Sequence, residues 1–128
     1  MKLQIHGQSL RFRLDEREFA QLLAGATIAG QIALGGGLRL RYSVALSAAE
    51  QPVLLTAADH WRLQLPQAAV QAYALRLPCR EGLAFTMDAE PGFAPLQLCL
   101  EVDVRDSIRQ RGAVRRAVPG EGTTPAAD

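Results

Sequence analysis

Leu10-Arg11-Phe12-Arg13-Leu14-Asp15-Glu16-Arg17-Glu18-Phe19-Ala20-Gln21-Leu22-Leu23-Ala24 joins the two periodicities from which the fold can be read. Leu10, Phe12 and Leu14 alternate with Arg11 and Arg13, the period-two pattern of a half-buried strand. The period then changes. Phe19, Leu22 and Leu23 recur at helical spacing, behind Asp15 and, three residues on, Glu18. Asp15 can accept a hydrogen bond from a free N–H of the first turn, and Glu18 can reach back to the cap, so a helix starts here. Gly25 is a natural stop for it.

Upstream, Leu3 and Ile5 alternate with Lys2, Gln4 and His6, and Gly7-Gln8-Ser9 turns this strand back towards Leu10. Downstream, Ile28, Ile32 and Leu34 read as a strand loosened around Gly30, and Gly35-Gly36-Gly37 as a turn. Leu38, Leu40, Tyr42, Val44 and Leu46 form the longest alternation, against Arg39 and Arg41. The pattern then recurs, with residues 61–75 lying over 10–24 at one constant offset. Val53-Leu54-Leu55-Thr56 is a strand and Asp59-His60 a turn; Trp61, Leu63 and Leu65 alternate with Arg62 and Gln64. Pro66 falls at the first position of a helix, where its missing N–H is tolerated. Val70, Tyr73 and Ala74 repeat the spacing of Phe19, Leu22 and Leu23, and Pro78 ends this helix. Leu83, Phe85 and Met87 form a strand, 88–95 a loop, and Leu96, Leu98, Leu100, Val102 and Val104 lie over Leu38, Leu40, Tyr42, Val44 and Leu46 after a seven-residue insertion. The reading is α+β: about eight mainly antiparallel strands in a sheet or open barrel, with two short helices. It is a duplicated strand-strand-helix-strand-strand unit, with copies at about 1–50 and 51–104 forming one domain. Residues 105–128, with Arg105, Arg109, Arg111, Arg115 and Arg116 followed by a Pro- and Gly-rich end, read as a basic, largely disordered tail.

At 128 residues the chain has room for one real core. Its formal net charge of +1 singles out neither a nucleic acid nor a membrane as partner. Thirteen Arg to one Lys, with many Ala, reads as the codon bias of a GC-rich bacterium. No secretion signal is expected at the start and no run reaches membrane-spanning length. Two cysteines are too few for a disulfide scaffold, and together these features favour the cytoplasm.

The sizeable polar constellation is basic. Lys2, Arg11, Arg13, Arg39 and Arg41 fall on the polar side of their strands, with Gln4 and His6, and make one patch if the first, second and fourth strands are neighbours. Arg presents paired donors suited to phosphate or carboxylate. The bland counterpart is the wet face of an antiparallel sheet, its Arg stems covering apolar neighbours. In the second copy Arg62, Gln64, Gln97, Glu101 and Asp103 take the matching places, so one half is basic and the other mixed to acidic. His6 and His60 have no metal-ligand spacing around them, so no metal and no cofactor is expected. Cys79 and Cys99 read as spare thiols, the Asp15, Glu16 and Glu18 cluster as helix capping, and Ser9 and Ser43 lack a catalytic partner.

The opening Met1 to Leu14 resembles a family of small bacterial proteins of unknown function that begin Met-Lys-Ile/Leu-x-Ile-x-Gly-x-Ser-Ile/Leu-Arg-x-Arg-Leu. The resemblance extends through the acid-capped helix, the Leu38-Arg39-Leu40-Arg41-Tyr42 strand and the shape of the second half, to about residue 104, and implies no activity. Where that family closes with Glu-x-Asp-Phe-x-Cys and an acidic tail, this chain has Glu101-Val102-Asp103-Val104-Arg105-Asp106 and a basic one. The repeated topology is also similar to the triphosphate tunnel enzymes, whose closed barrel binds polyphosphate with inward Arg, Lys and Glu; the chain lacks their Glu-x-Glu-x-Lys signature and opens Lys2-Leu3-Gln4-Ile5-His6. Three functions are therefore expected. The first is a non-catalytic module binding an anionic small molecule or protein partner on the basic face. The second is a tunnel-type phosphate-ester hydrolase using the same arginines with Glu101 and Asp103. The third is a homodimer formed through an exposed strand edge.

Overall fold

The computed structural model describes residues 1–104; the basic tail expected at 105–128 lies outside the described residues. The elements run β1 (Lys2–His6), β2 (Ser9–Asp15), α1 (Glu16–Leu23), β3 (Ile28–Gly35), β4 (Leu38–Ser47), β5 (Val53–Ala57), β6 (His60–Pro66), α2 (Gln67–Ala74), β7 (Leu83–Met87) and β8 (Leu96–Asp103). The fold is α+β and dominated by its strands, which form two sheets of order β1-β2-β8-β7 and β3-β4-β6-β5. The sheets do not close into a barrel.

Each sheet takes one hairpin from each half of the chain. Hairpins β1–β2 and β7–β8 make the first sheet and hairpins β3–β4 and β5–β6 the second, so both are antiparallel at their edges. At the centre, where the halves meet, β2 runs parallel to β8 and β4 parallel to β6. The two halves thus repeat one pattern and exchange hairpins. The parallel registers also fix the correspondence between them. Phe12 lies beside Leu100 while its counterpart Leu63 lies beside Val44. Leu100 therefore corresponds to Val44 and not, as alternation alone suggests, to Tyr42; the insertion is five residues, not seven. A slip of two leaves every side chain on its own face, so hydrophobic patterning could not detect it.

Helix α1 opens with a full capping box: Glu18 N–H donates to Asp15 Oδ1 at 2.7 Å and Asp15 N–H donates to Glu18 Oε1 at 3.0 Å. It ends at Leu23, with Ala24 as C-cap and Gly25 at φ +102°, a conformation that penalises a side chain. Helix α2 starts from Pro66, which serves as N-cap and not as first helical residue, with no side-chain cap bond. It closes at Ala74, four residues before Pro78, so proline is not its stop. α1 packs against β2 and β8 of one sheet and β3 and β4 of the other; α2 packs against β4 and β6. One continuous core results. Leu10, Phe12, Leu14, Leu98, Leu100 and Val102 come from the first sheet, Ile28, Val44, Leu63 and Leu65 from the second, and Phe19, Leu22, Val70 and Tyr73 from the helices. The Phe19 and Tyr73 rings meet edge to face, 6.0 Å between centroids. Among the described residues, no helix is long and apolar enough to cross a membrane.

Candidate functional site

The residues opposite the core face of each strand form two outer faces, one per sheet, and the basic residues divide between them. Lys2, Arg11 and Arg13 stand on the first sheet, where Lys2 is opposite Arg13 and Gln4 opposite Arg11. Arg39 and Arg41 stand on β4 of the second. The single patch over the first, second and fourth strands is not formed, because β1 and β2 share no sheet with β4.

The first face is nearly balanced. Its central ladder sets Arg11 beside Cys99, Arg13 beside Glu101 and Asp15 beside Asp103. The acids of the second half therefore lie among the bases of the first. Arg11 Nε forms an ion pair with Glu101 Oε2 at 3.2 Å. Gln4, Ile5, His6, Ser9, Leu10, Arg11 and Cys99 line a shallow cleft of about 440 Å³ at this end of the sheet. Burial pushes the Cys99 thiol above its ordinary range, and the Glu101 carboxylate pushes it further; Arg11 offsets only part of this. The thiol is thus kept protonated, the opposite of what a nucleophilic cysteine needs.

The second face is unbalanced. Arg41 lies beside His60 and Ser43 beside Arg62 across the β4–β6 ladder, and Arg39 is one pleat before Arg41 on the same side. Arg39, Arg41 and Arg62 are all exposed. Asp59, in the β5–β6 turn, meets Arg41 Nη2 at 3.5 Å, and among the described residues no ion pair engages Arg39 or Arg62. At the places held by Glu101 and Asp103 in the first sheet, the second has Ala45 and Ser47. Ser43 is only 6% exposed although it shares the face of Arg41 and Arg62. Arg62, assigned by sequence to the mixed half, joins Arg39 and Arg41 because the halves exchange hairpins. Only a parallel β4–β6 pairing brings them together, and no local signal announces it.

Tunnel chemistry needs a closed barrel with inward bases. Here the sheets stay open and all five predicted basic residues lie on outer faces, so that arrangement is not formed. Among the described residues, no three His, Cys, Asp or Glu side chains gather as a metal site. No curated protein and no solved structure matches the chain. The residues that build both sheets and both helices are matched as a unit: the model of DUF7009, a family of unknown function, spans residues 1–105, and the chain belongs to that family.

Proposed function

We propose that the chain is a non-catalytic module that binds an anionic ligand, phosphorylated or polycarboxylate, on the outer face of its second sheet. The observation that supports this is the imbalance of that face: three exposed arginines, Arg39, Arg41 and Arg62, with Asp59 as the acid beside them. Planar guanidiniums on adjacent pleats and strands can each offer paired N–H donors to a phosphate or carboxylate group. The arginines of the first sheet share their face with Glu101 and Asp103, whose carboxylates compete with any anion.

The test is the melting temperature against inorganic triphosphate. A ligand at a hundred times its dissociation constant stabilises by about 2.7 kcal/mol, a shift of several degrees that falls with added salt. Arg39→Ser with Arg41→Ser should abolish the shift, and Arg11→Ser with Arg13→Ser should leave it. No shift in the unaltered protein would sink the reading; loss only with the Arg11 and Arg13 pair would move the site to the cleft of the first sheet.

A further inference from the structure

The four sheet edges are β1, β7, β3 and β5, and an edge presents unpaired backbone N–H and C=O groups to solvent. Three of them are blunted. β1, β5 and β7 have five residues each; β1 carries Lys2 and His6, β5 follows Pro52, and β7 lies between Pro78 and Pro91. β3 is different. Its eight residues, Ile28-Ala29-Gly30-Gln31-Ile32-Ala33-Leu34-Gly35, make it three residues longer than any other edge; like β5 and β7 it contains no charge and no proline, and its register against β4 shifts only at its end, between Ala33 and Gly35. Beyond the buried Ile28 the strand is open: Ile32 is 48% and Leu34 56% exposed, and Leu38 at the start of β4 is 55% exposed.

We propose that β3 is the interaction edge of this protein and that its partner is a second copy of the chain, added antiparallel across a two-fold axis to make one eight-stranded sheet. The edge is self-complementary. A two-fold perpendicular to the sheet keeps core face with core face only if a residue opposes its own copy. Centring the axis on Gln31 places Gln31 opposite Gln31, Ala29 opposite Ala33 and Gly30 opposite Ile32, all short of the register shift between Ala33 and Gly35. On the core side the small Gly30 meets the large Ile32, and the two Gln amides can bond each other on the outer side. Gly30 already has the Tyr42 ring over it, at 2.7 Å from where a Cβ would stand. An uncharged strand brings no charge into such a seam, whereas β1 would bring Lys2. Because Gln31 is the register partner of Arg41, the seam would set the two basic faces side by side, with Arg41 about 14 Å from its copy at the usual strand spacing. The pairing does not depend on anion binding.

The experiment is sedimentation equilibrium of the full chain from 1 to 200 μM, with no anion present. The expected mass is twice the 13.8 kDa of one chain. Gln31→Lys, which sets like charges directly opposite at the axis, should weaken the dimer at least tenfold while circular dichroism stays unchanged. Ile32→Lys, at a half-exposed position, should do the same, and Thr56→Lys on the β5 edge should not. A single-chain mass throughout, or a dimer indifferent to both β3 variants, would overturn the proposal. If neither β3 variant folds, hydrogen exchange of the unaltered chain decides. Amides of β3 that slow with rising concentration support the seam, and rates independent of concentration reject it.

Discussion

The first sheet and the second are built alike, from two hairpins of opposite halves around a parallel centre, yet their outer faces are opposites in charge balance. Arg13 has Glu101 beside it; in the equivalent place Gln64 has Ala45. Arg11 lies beside Cys99 and pairs with Glu101, while Arg62 lies beside Ser43, a small side chain with no charge to offer. The core faces are far more alike: Phe12 and Leu14 correspond to Leu63 and Leu65, and Leu100 to Val44, all with essentially no exposure. Packing constrains the inner faces to apolar groups of fitting volume, whereas the outer faces tolerate any polar set and are free to diverge.

The largest expected effect tests whether the two sheets share one core. Phe12→Ala and Leu63→Ala empty equivalent places in the two sheets, and each should cost about 3–5 kcal/mol or a little less for the leucine, through lost burial and a residual cavity. Because the buried residues form one cluster, each variant should still unfold in a single transition in urea. Two separated transitions in either variant would show that the sheets are independent units.

Exchanging the outer faces is the next test. Ala45→Glu gives the second sheet the acid of the first and should weaken triphosphate binding about tenfold, roughly 1.4 kcal/mol. Glu101→Ala removes the ion-pair partner of Arg11 and should create measurable triphosphate binding in the Arg39→Ser, Arg41→Ser background. It should also bring the Cys99 thiol down towards its ordinary range without fully reaching it, since burial is the larger cause of the rise. The pH profile of thiol alkylation reads that change; an unmoved profile would mean that Glu101 has no hold on the thiol.

How much of this was legible beforehand depends on the range of the interaction. Strand alternation at Leu10, Phe12 and Leu14, the capping pair of Asp15 and Glu18, and the stop at Gly25 are local events, and all three are present in the structure. The end of α2 was misplaced because Pro78 can forbid a helix but cannot extend one to meet it. The parallel centres were invisible. Turns report which strands form hairpins, and nothing local in β2 states that β8 will lie beside it. The basic residues were identified on the right faces and the wrong neighbours, since a period of two assigns sides but not sheets.

The two helix starts offer a smaller contrast. α1 has two reciprocal bonds at its cap and α2 has none from a side chain. Asp15→Ala should therefore cost about 1 kcal/mol, seen as a drop of several degrees in melting temperature. Gln67→Ala at the start of α2, an exposed position without a cap bond, should cost at most about 0.5 kcal/mol. Equal losses would remove the capping box as the reason α1 starts where it does.

The smallest effect separates the helices inside the core. Tyr73 of α2 holds the place that Leu22 holds in α1, and only the tyrosine brings a proton with it. Its hydroxyl is buried without a hydrogen bond of good geometry. Burial raises its pKa above the ordinary 10.0; the Val102 backbone offsets part of the rise, while Cys79, Cys99 and Glu101 add to it. A raised folded-state value means that the folded chain holds this proton more tightly than the unfolded chain. The resulting stability is complete below pH 10 and is lost as pH climbs through the folded value. Tyr73→Phe keeps the ring beside Phe19 and beneath Arg76, whose guanidinium lies 5.5 Å from its centre, and discards the hydroxyl. At pH 7 the variant should equal or exceed the unaltered chain by up to about 1 kcal/mol, since an unbonded buried hydroxyl is removed. Above pH 10 its advantage should widen, because it has no phenol to ionise. The Cys99 thiol, also raised, destabilises both chains in alkali, and as a thiolate it further disfavours the Tyr73 phenolate, which adds to the widening. Urea unfolding at pH 7 and pH 10.5 measures the two gaps; if they are equal, the Tyr73 proton contributes nothing that Leu22 lacks.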